Sequence, residues 1–148
     1  MTLADYFETA TGRGILATAD KNGNVDAAVY AKPKILGEDT IAFIMRDRLT
    51  HANVNSNPNA TYLFVENEGG GYKGIRLYLT KLSEEEDSER LYALRRKDHN
   101  AIKETREERG PLFLVIFRVD RIRPITPRGG NPLEGERPAE KTVAETLH

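Results

Sequence analysis

Two apolar runs near the start of the chain, residues 14–19 (GILATA) and 25–32 (VDAAVYAK), are separated by only five residues, Asp20-Lys21-Asn22-Gly23-Asn24. Asn-Gly supplies the positive backbone φ that tight hairpin turns require, so the two runs read as neighbouring antiparallel strands. A doubly wound α/β architecture is disfavoured, because its strands run parallel and this pair is joined by a tight turn. Pro33 follows the second run. It has no N–H for a ladder, so pairing should weaken there or the strand should lie at an edge.

The rest of the chain continues in short strands with helices between them. Residues 40–46 (TIAFIMR), 60–65 (ATYLFV), 74–82 (GIRLYLTKL) and 112–119 (LFLVIFRV) read as strands, and residues 34–36 read as a continuation of the second. In residues 74–82, Ile75, Leu77 and Leu79 alternate with Arg76, Tyr78 and Thr80, as a half-buried strand demands. Helices are expected over residues 2–11, with Thr2 and Asp5 as a capping box; over 47–56, with Asp47 as N-cap and Leu49, Ala52 and Val54 as its apolar face; from Ser83 to about residue 97, with Ser83 and Glu86 as a second capping box; and over 101–108. The expected fold is mainly β: six strands in a closed or partly open barrel with helical plugs. Residues 1–123 make the domain. Residues 124–148 hold four of the seven prolines and three glycines, and read as an extended arm or tail.

Composition excludes several function classes. The chain has no cysteine, so disulfide scaffolds, thiolate nucleophiles and iron–sulfur clusters are out. Lys plus Arg total 22 and Asp plus Glu 23, a net charge of −1, which argues against a general nucleic-acid binder. From residue 81 to 109, 17 of 29 residues are charged in mixed sign, as solvated helices are. No apolar run reaches the roughly 20 residues of a membrane span, and the polar N-terminus is no secretory signal, so a soluble cytoplasmic protein is expected.

Three segments carry candidate chemistry. Met45-Arg46-Asp47-Arg48-Leu49-Thr50 stands at a strand-to-helix junction. A helix N-terminus favours anions, and Arg46, Arg48 and the Thr50 hydroxyl would complete a phosphate cup, with Asn53 one turn further on. The plainer reading is a capped helix with two solvated arginines. In Val29-Tyr30-Ala31-Lys32, Tyr30 and Lys32 fall on one strand face and could flank a planar anionic ligand. The loop Gly69-Gly70-Gly71-Tyr72-Lys73 lacks the P-loop pattern; it is a mobile hairpin or a lid carrying Tyr72 and Lys73. His51, His99 and His148 have no metal-ligand spacing, and His51 adjoins the cup.

The segment Ala42-Phe-Ile-Met-Arg-Asp-Arg-Leu-Thr-His-Ala-Asn-Val-Asn-Ser-Asn-Pro58, preceded by GILATADKNGNVDAAVY, resembles the flavin-binding core of the pyridoxamine 5′-phosphate oxidase-like, FMN-binding split-barrel family. The resemblance covers about residues 1 to 120. It implies a six-stranded Greek-key split β-barrel, a homodimer, and FMN in the groove between subunits. Residues 28–32 would run along the ring, and residues 46–50 with Asn53 would hold the phosphate. The family's oxidases carry a basic residue where this chain has Thr50, so pyridoxamine phosphate oxidation itself is not implied. Three readings stay open: an FMN-dependent oxidoreductase using a small-molecule substrate or NAD(P)H, a non-catalytic module that stores or senses FMN or haem, and a barrel used for interaction alone.

Overall fold

The computed structural model describes residues 1–98, 104–126 and Leu133. The elements are α1 (Leu3–Thr9), β1 (Gly12–Ala19), β2 (Val25–Val29), β3 (Lys34–Ile35), β4 (Thr40–Arg46), α2 (Leu49–Ser56), β5 (Asn59–Glu66), β6 (Gly74–Glu86), α3 (Glu89–Arg96), α4 (Arg106–Arg109) and β7 (Leu112–Pro124). Every strand pair is antiparallel, in one sheet of order β2-β1-β5-β6-β7-β4-β3. The six expected strands are all present, and the seventh, β3, is a two-residue ladder against β4. The sheet ends, β2 and β3, are consecutive in the chain yet do not pair, which is the split in the barrel. Helix α2 packs against both β1 and β4 and so bridges that split.

The inward faces of β1, β4, β5, β6 and β7 make the core with Tyr6 and Phe7 of α1. Phe7 meets Phe64 edge-on at 5.3 Å between ring centroids, and Phe43 meets Tyr62 at 4.9 Å. β7 is apolar at every position from Leu112 to Phe117 because both its faces are covered. Leu112, Leu114 and Ile116 turn outward onto Leu91 of α3, while Phe113, Val115 and Phe117 enter the barrel.

Four expectations need correction. The helix placed at Ser83 is strand: β6 runs on to Glu86, with Ser83 opposite Ile116 and Glu86 opposite Phe113. A continuous ladder along β7 outweighs one local capping box, and the cap falls instead on Ser88, whose hydroxyl accepts from the Leu91 N–H at 3.0 Å. Helix α2 begins at Leu49, not residue 47; Arg48 is its N-cap, and Asp47 bonds the His51 ring instead. Its buried face is polar: Thr50, His51 and Asn53 join Val54 inside, while Leu49 and Ala52 are exposed. β2 ends at Val29 rather than residue 32, because the carbonyls of Tyr30 and Ala31 turn inward to the Tyr62 hydroxyl, at 3.0 Å each.

Of the second polar helix, α4 covers Arg106–Arg109, and residues 99–103 lie outside the described residues. So do 127–132 and 134–148 of the expected arm; Leu133 is buried in the core. Among the described residues no helix is long and apolar enough to cross a membrane.

Candidate functional site

The start of α2 is where the first two sequence candidates meet. Arg48 holds the N-cap position with extended backbone (φ −132°, ψ −166°), and no side chain caps the helix. The first-turn amides therefore keep their hydrogen-bonding capacity and their share of the helix dipole. The Thr50 hydroxyl and the Arg48 guanidinium both lie close enough to the Tyr30 hydroxyl to act on it electrostatically. Burial raises the Tyr30 pKa, and Thr50 and Arg48 offset part of that rise. Among the described residues no carboxylate pairs with Arg48. One unpaired cation, two hydroxyls and an uncapped helix end suit a phosphate-sized anion.

Tyr30 reaches this point because the backbone after β2 is bent inward. Tyr62, fully buried on β5, donates to the Tyr30 carbonyl or the Ala31 carbonyl. Gly14 on β1 makes room: a Cβ there would stand 1.8 Å from the Tyr62 hydroxyl and 2.6 Å from the Tyr30 carbonyl oxygen. The Tyr30 ring then rests edge-on against Phe43 at 5.7 Å. Neither Tyr62 nor Gly14 stands out in the sequence as a site residue, since each reads as ordinary strand.

The other candidates are distributed elsewhere. Lys32 does not share a strand face with Tyr30. Its Nζ donates to the carbonyls of Phe7 (2.8 Å) and Ala10 (2.7 Å), closing the C-terminal end of α1. Arg46 lies on the face of β4 opposite buried Met45 and pairs with Glu104 at 2.5 Å. Asn53 is buried and donates to the Thr18 hydroxyl at 3.0 Å, which ties α2 to β1. Val29, Ala31 and Leu49 are exposed. Tyr72 is exposed, and Lys73 stands 3.8 Å from Glu66, whose other oxygen accepts from the Tyr6 hydroxyl at 2.7 Å. That loop thus belongs to the α1 end of the barrel.

His51 is the polar anchor of α2. Its Nδ1 meets Asp47 at 3.0 Å, its Nε2 meets Glu84 of β6 at 3.0 Å, and its ring stacks on Phe113 at 3.9 Å. Lys81 completes the network at 2.6 Å from Glu84. The network sets the pitch of α2 over the split, and hence where Arg48 and Thr50 stand.

Solved structures share this fold. An FMN-binding protein from Syntrophomonas wolfei subsp. wolfei superposes with a TM-score of 0.66 at 20% identity, over 82% of each chain. HupZ from Group A Streptococcus matches with a TM-score of 0.64 at 18% identity, over 87% of this chain and 94% of its own. A candidate pyridoxamine 5′-phosphate oxidase from Lactobacillus delbrueckii matches at 0.59 and 13%, over 82% and 89%. The fold is the pyridoxamine 5′-phosphate oxidase-like split barrel. No family sequence model and no curated protein matches the chain, so the likeness to this split barrel is one of fold.

Proposed function

We propose that this split barrel binds FMN, in a groove shared by two copies of the chain, and acts as an oxidoreductase. The observation that carries the reading is the meeting of Arg48, Thr50 and Tyr30 at the uncapped end of α2. The residues fit the phosphate of the cofactor: Arg48 and the first-turn amides would hold it, and the two hydroxyls would orient it. When bound, the flavin ring supplies the electron transfer, so no protein acid or base is obligatory. Val29 and Ala31, which the resemblance puts along the ring, are exposed. A shared groove is supported by the outer face of the β1–β2 hairpin, where Ile15 sits opposite Val29, Ala17 opposite Ala27 and Ala19 opposite Val25. Val25 and Val29 are about four-fifths exposed, a patch that a second copy would cover.

Purified protein should be yellow or should take up FMN on titration. It should sediment as a dimer and lose flavin on dilution to monomer. Oxidation of NAD(P)H by the loaded protein then separates an oxidoreductase from a storage module, which binds without turnover. A colourless protein that fails to quench flavin fluorescence overturns the reading. For a haem-binding alternative the fit is poorer: His51, the buried histidine of α2, has both ring nitrogens engaged by carboxylates.

A further inference from the structure

Away from the α2 cluster, a groove of about 560 Å³ opens between β1, β5, β6 and β7. Its walls are apolar at Ala17, Ala19, Val25 and Leu79, and its floor carries Arg121. That arginine is only 4% exposed. Its guanidinium lies over the Tyr78 ring, 4.8 Å from the centroid. Its Nε is buried without a hydrogen-bond partner, and no carboxylate among the described residues pairs with it. Asp120, its neighbour and a wall of the same groove, is already taken: it accepts from Arg118 Nε at 2.6 Å and from the Thr80 hydroxyl.

A buried, unpaired guanidinium is costly unless something completes it. Stacking on Tyr78 uses the face of the guanidinium and leaves its edge, where N–H groups point in plane. Nε–H with an adjacent Nη–H forms the fork that a carboxylate accepts side-on with both oxygens. The volume falls within the roughly 300–1,000 Å³ of small-molecule sites, and the apolar walls suit a hydrocarbon or aromatic body.

We infer that this groove is a binding site for a small organic carboxylate with an apolar or aromatic body, held through Arg121. The inference does not depend on the chain binding flavin; Ala17, Ala19 and Val25 also lie on the hairpin face proposed above for a second copy, so the carboxylate and that copy would compete for the groove. The probes are benzoate and octanoate, titrated into full-length isotope-labelled protein and followed by NMR at the Arg121 Nε–H and the Val25 methyls. Both signals should move together and saturate, with the Nε–H shifting downfield as it gains an acceptor. Arg121→Gln should weaken binding by on the order of tenfold or more. Ala17→Leu, which fills the groove and leaves the guanidinium intact, should weaken it comparably, so the test survives if the first variant folds poorly. Arg48→Gln should leave carboxylate binding unchanged, even if the chain binds no flavin. The inference is overturned if neither probe moves the Arg121 Nε–H. It is also overturned if Arg121→Gln breaks a dimer while the probes have no effect, which would make the acceptor a carboxylate of the second copy.

Discussion

Arg46 and Arg48 look equivalent in the sequence, two residues apart at one junction, and the structure separates them. Arg46 is on the outer face of β4 with Glu104, whereas Arg48 stands unpaired beside Thr50 and Tyr30. Replacing each by Gln removes one charge and keeps much of the side-chain volume. At Arg48 the loss is one charge-assisted hydrogen bond to phosphate at an exposed position. That is worth about 1–2 kcal/mol once solvent screening is allowed for, below the value of a buried pair. FMN affinity should therefore fall about 5- to 30-fold at low salt. At Arg46 the loss is an ion pair about three-tenths exposed on each side, which touches stability by about 1 kcal/mol or less and FMN affinity hardly at all. Quenching of flavin fluorescence measures both. Riboflavin, which lacks the phosphate, is the control: Arg48→Gln and the parent should bind it equally, and added salt should narrow their difference for FMN. Equal losses for the two variants with FMN, or a difference that persists with riboflavin, would refute the assignment of Arg48 to phosphate.

Three further outcomes are expected. Gly14→Ala should destabilise the barrel by about 2–3 kcal/mol in a urea unfolding curve; Tyr62→Phe should not rescue it, because the Tyr62 ring carbon at 2.3 Å and the Tyr30 carbonyl at 2.6 Å still block the methyl group. Lys32→Met should cost about 1–2 kcal/mol by stripping two C-terminal carbonyls of α1 of their donor, and should leave the spectrum of bound flavin unchanged; a shifted spectrum at unchanged stability would place Lys32 at the ring instead. For Glu84, burial pushes the carboxyl pKa up, but hydrogen bonds from Lys81 and His51 outweigh it and hold it below the ordinary 4.5. A depressed carboxyl contributes stability that is present above 4.5 and lost as pH falls through its folded value. Glu84→Gln should flatten the fall in Tm below pH 4.5, and parallel acid limbs for variant and parent would count against the network.

The barrel was legible because strands announce themselves locally. Asn22-Gly23 turned the first hairpin, and residues 40–46 match β4 residue for residue. The error at Ser83 has a physical cause. A Ser with a Glu three residues on is a helix signal within four residues, whereas β6 is held by β7, some thirty residues away, and a single sequence does not display that partner. The bend after β2 was hidden for the same reason, since it depends on the Tyr62 hydroxyl reaching across from β5.

Helix α2 explains why the candidate site was only half legible. Its sequence, LTHANVNS, has no apolar stripe, and amphipathic reasoning looks for one. Burial is instead secured by polar groups that find distant partners, His51 at Glu84 and Asn53 at Thr18, with Thr50 beside Tyr30. A helix held by directional bonds is fixed in rotation more tightly than one held by interchangeable apolar contacts. Bridging the split in this way, it holds its uncapped first turn beside Arg48 and Tyr30 without spending Asn53 or His51 on the anion. On the proposed reading, Arg48 and Thr50 of the expected cup, with Tyr30 of the second candidate, would face the anion, while Asn53, His51 and Asp47 hold the helix that presents them.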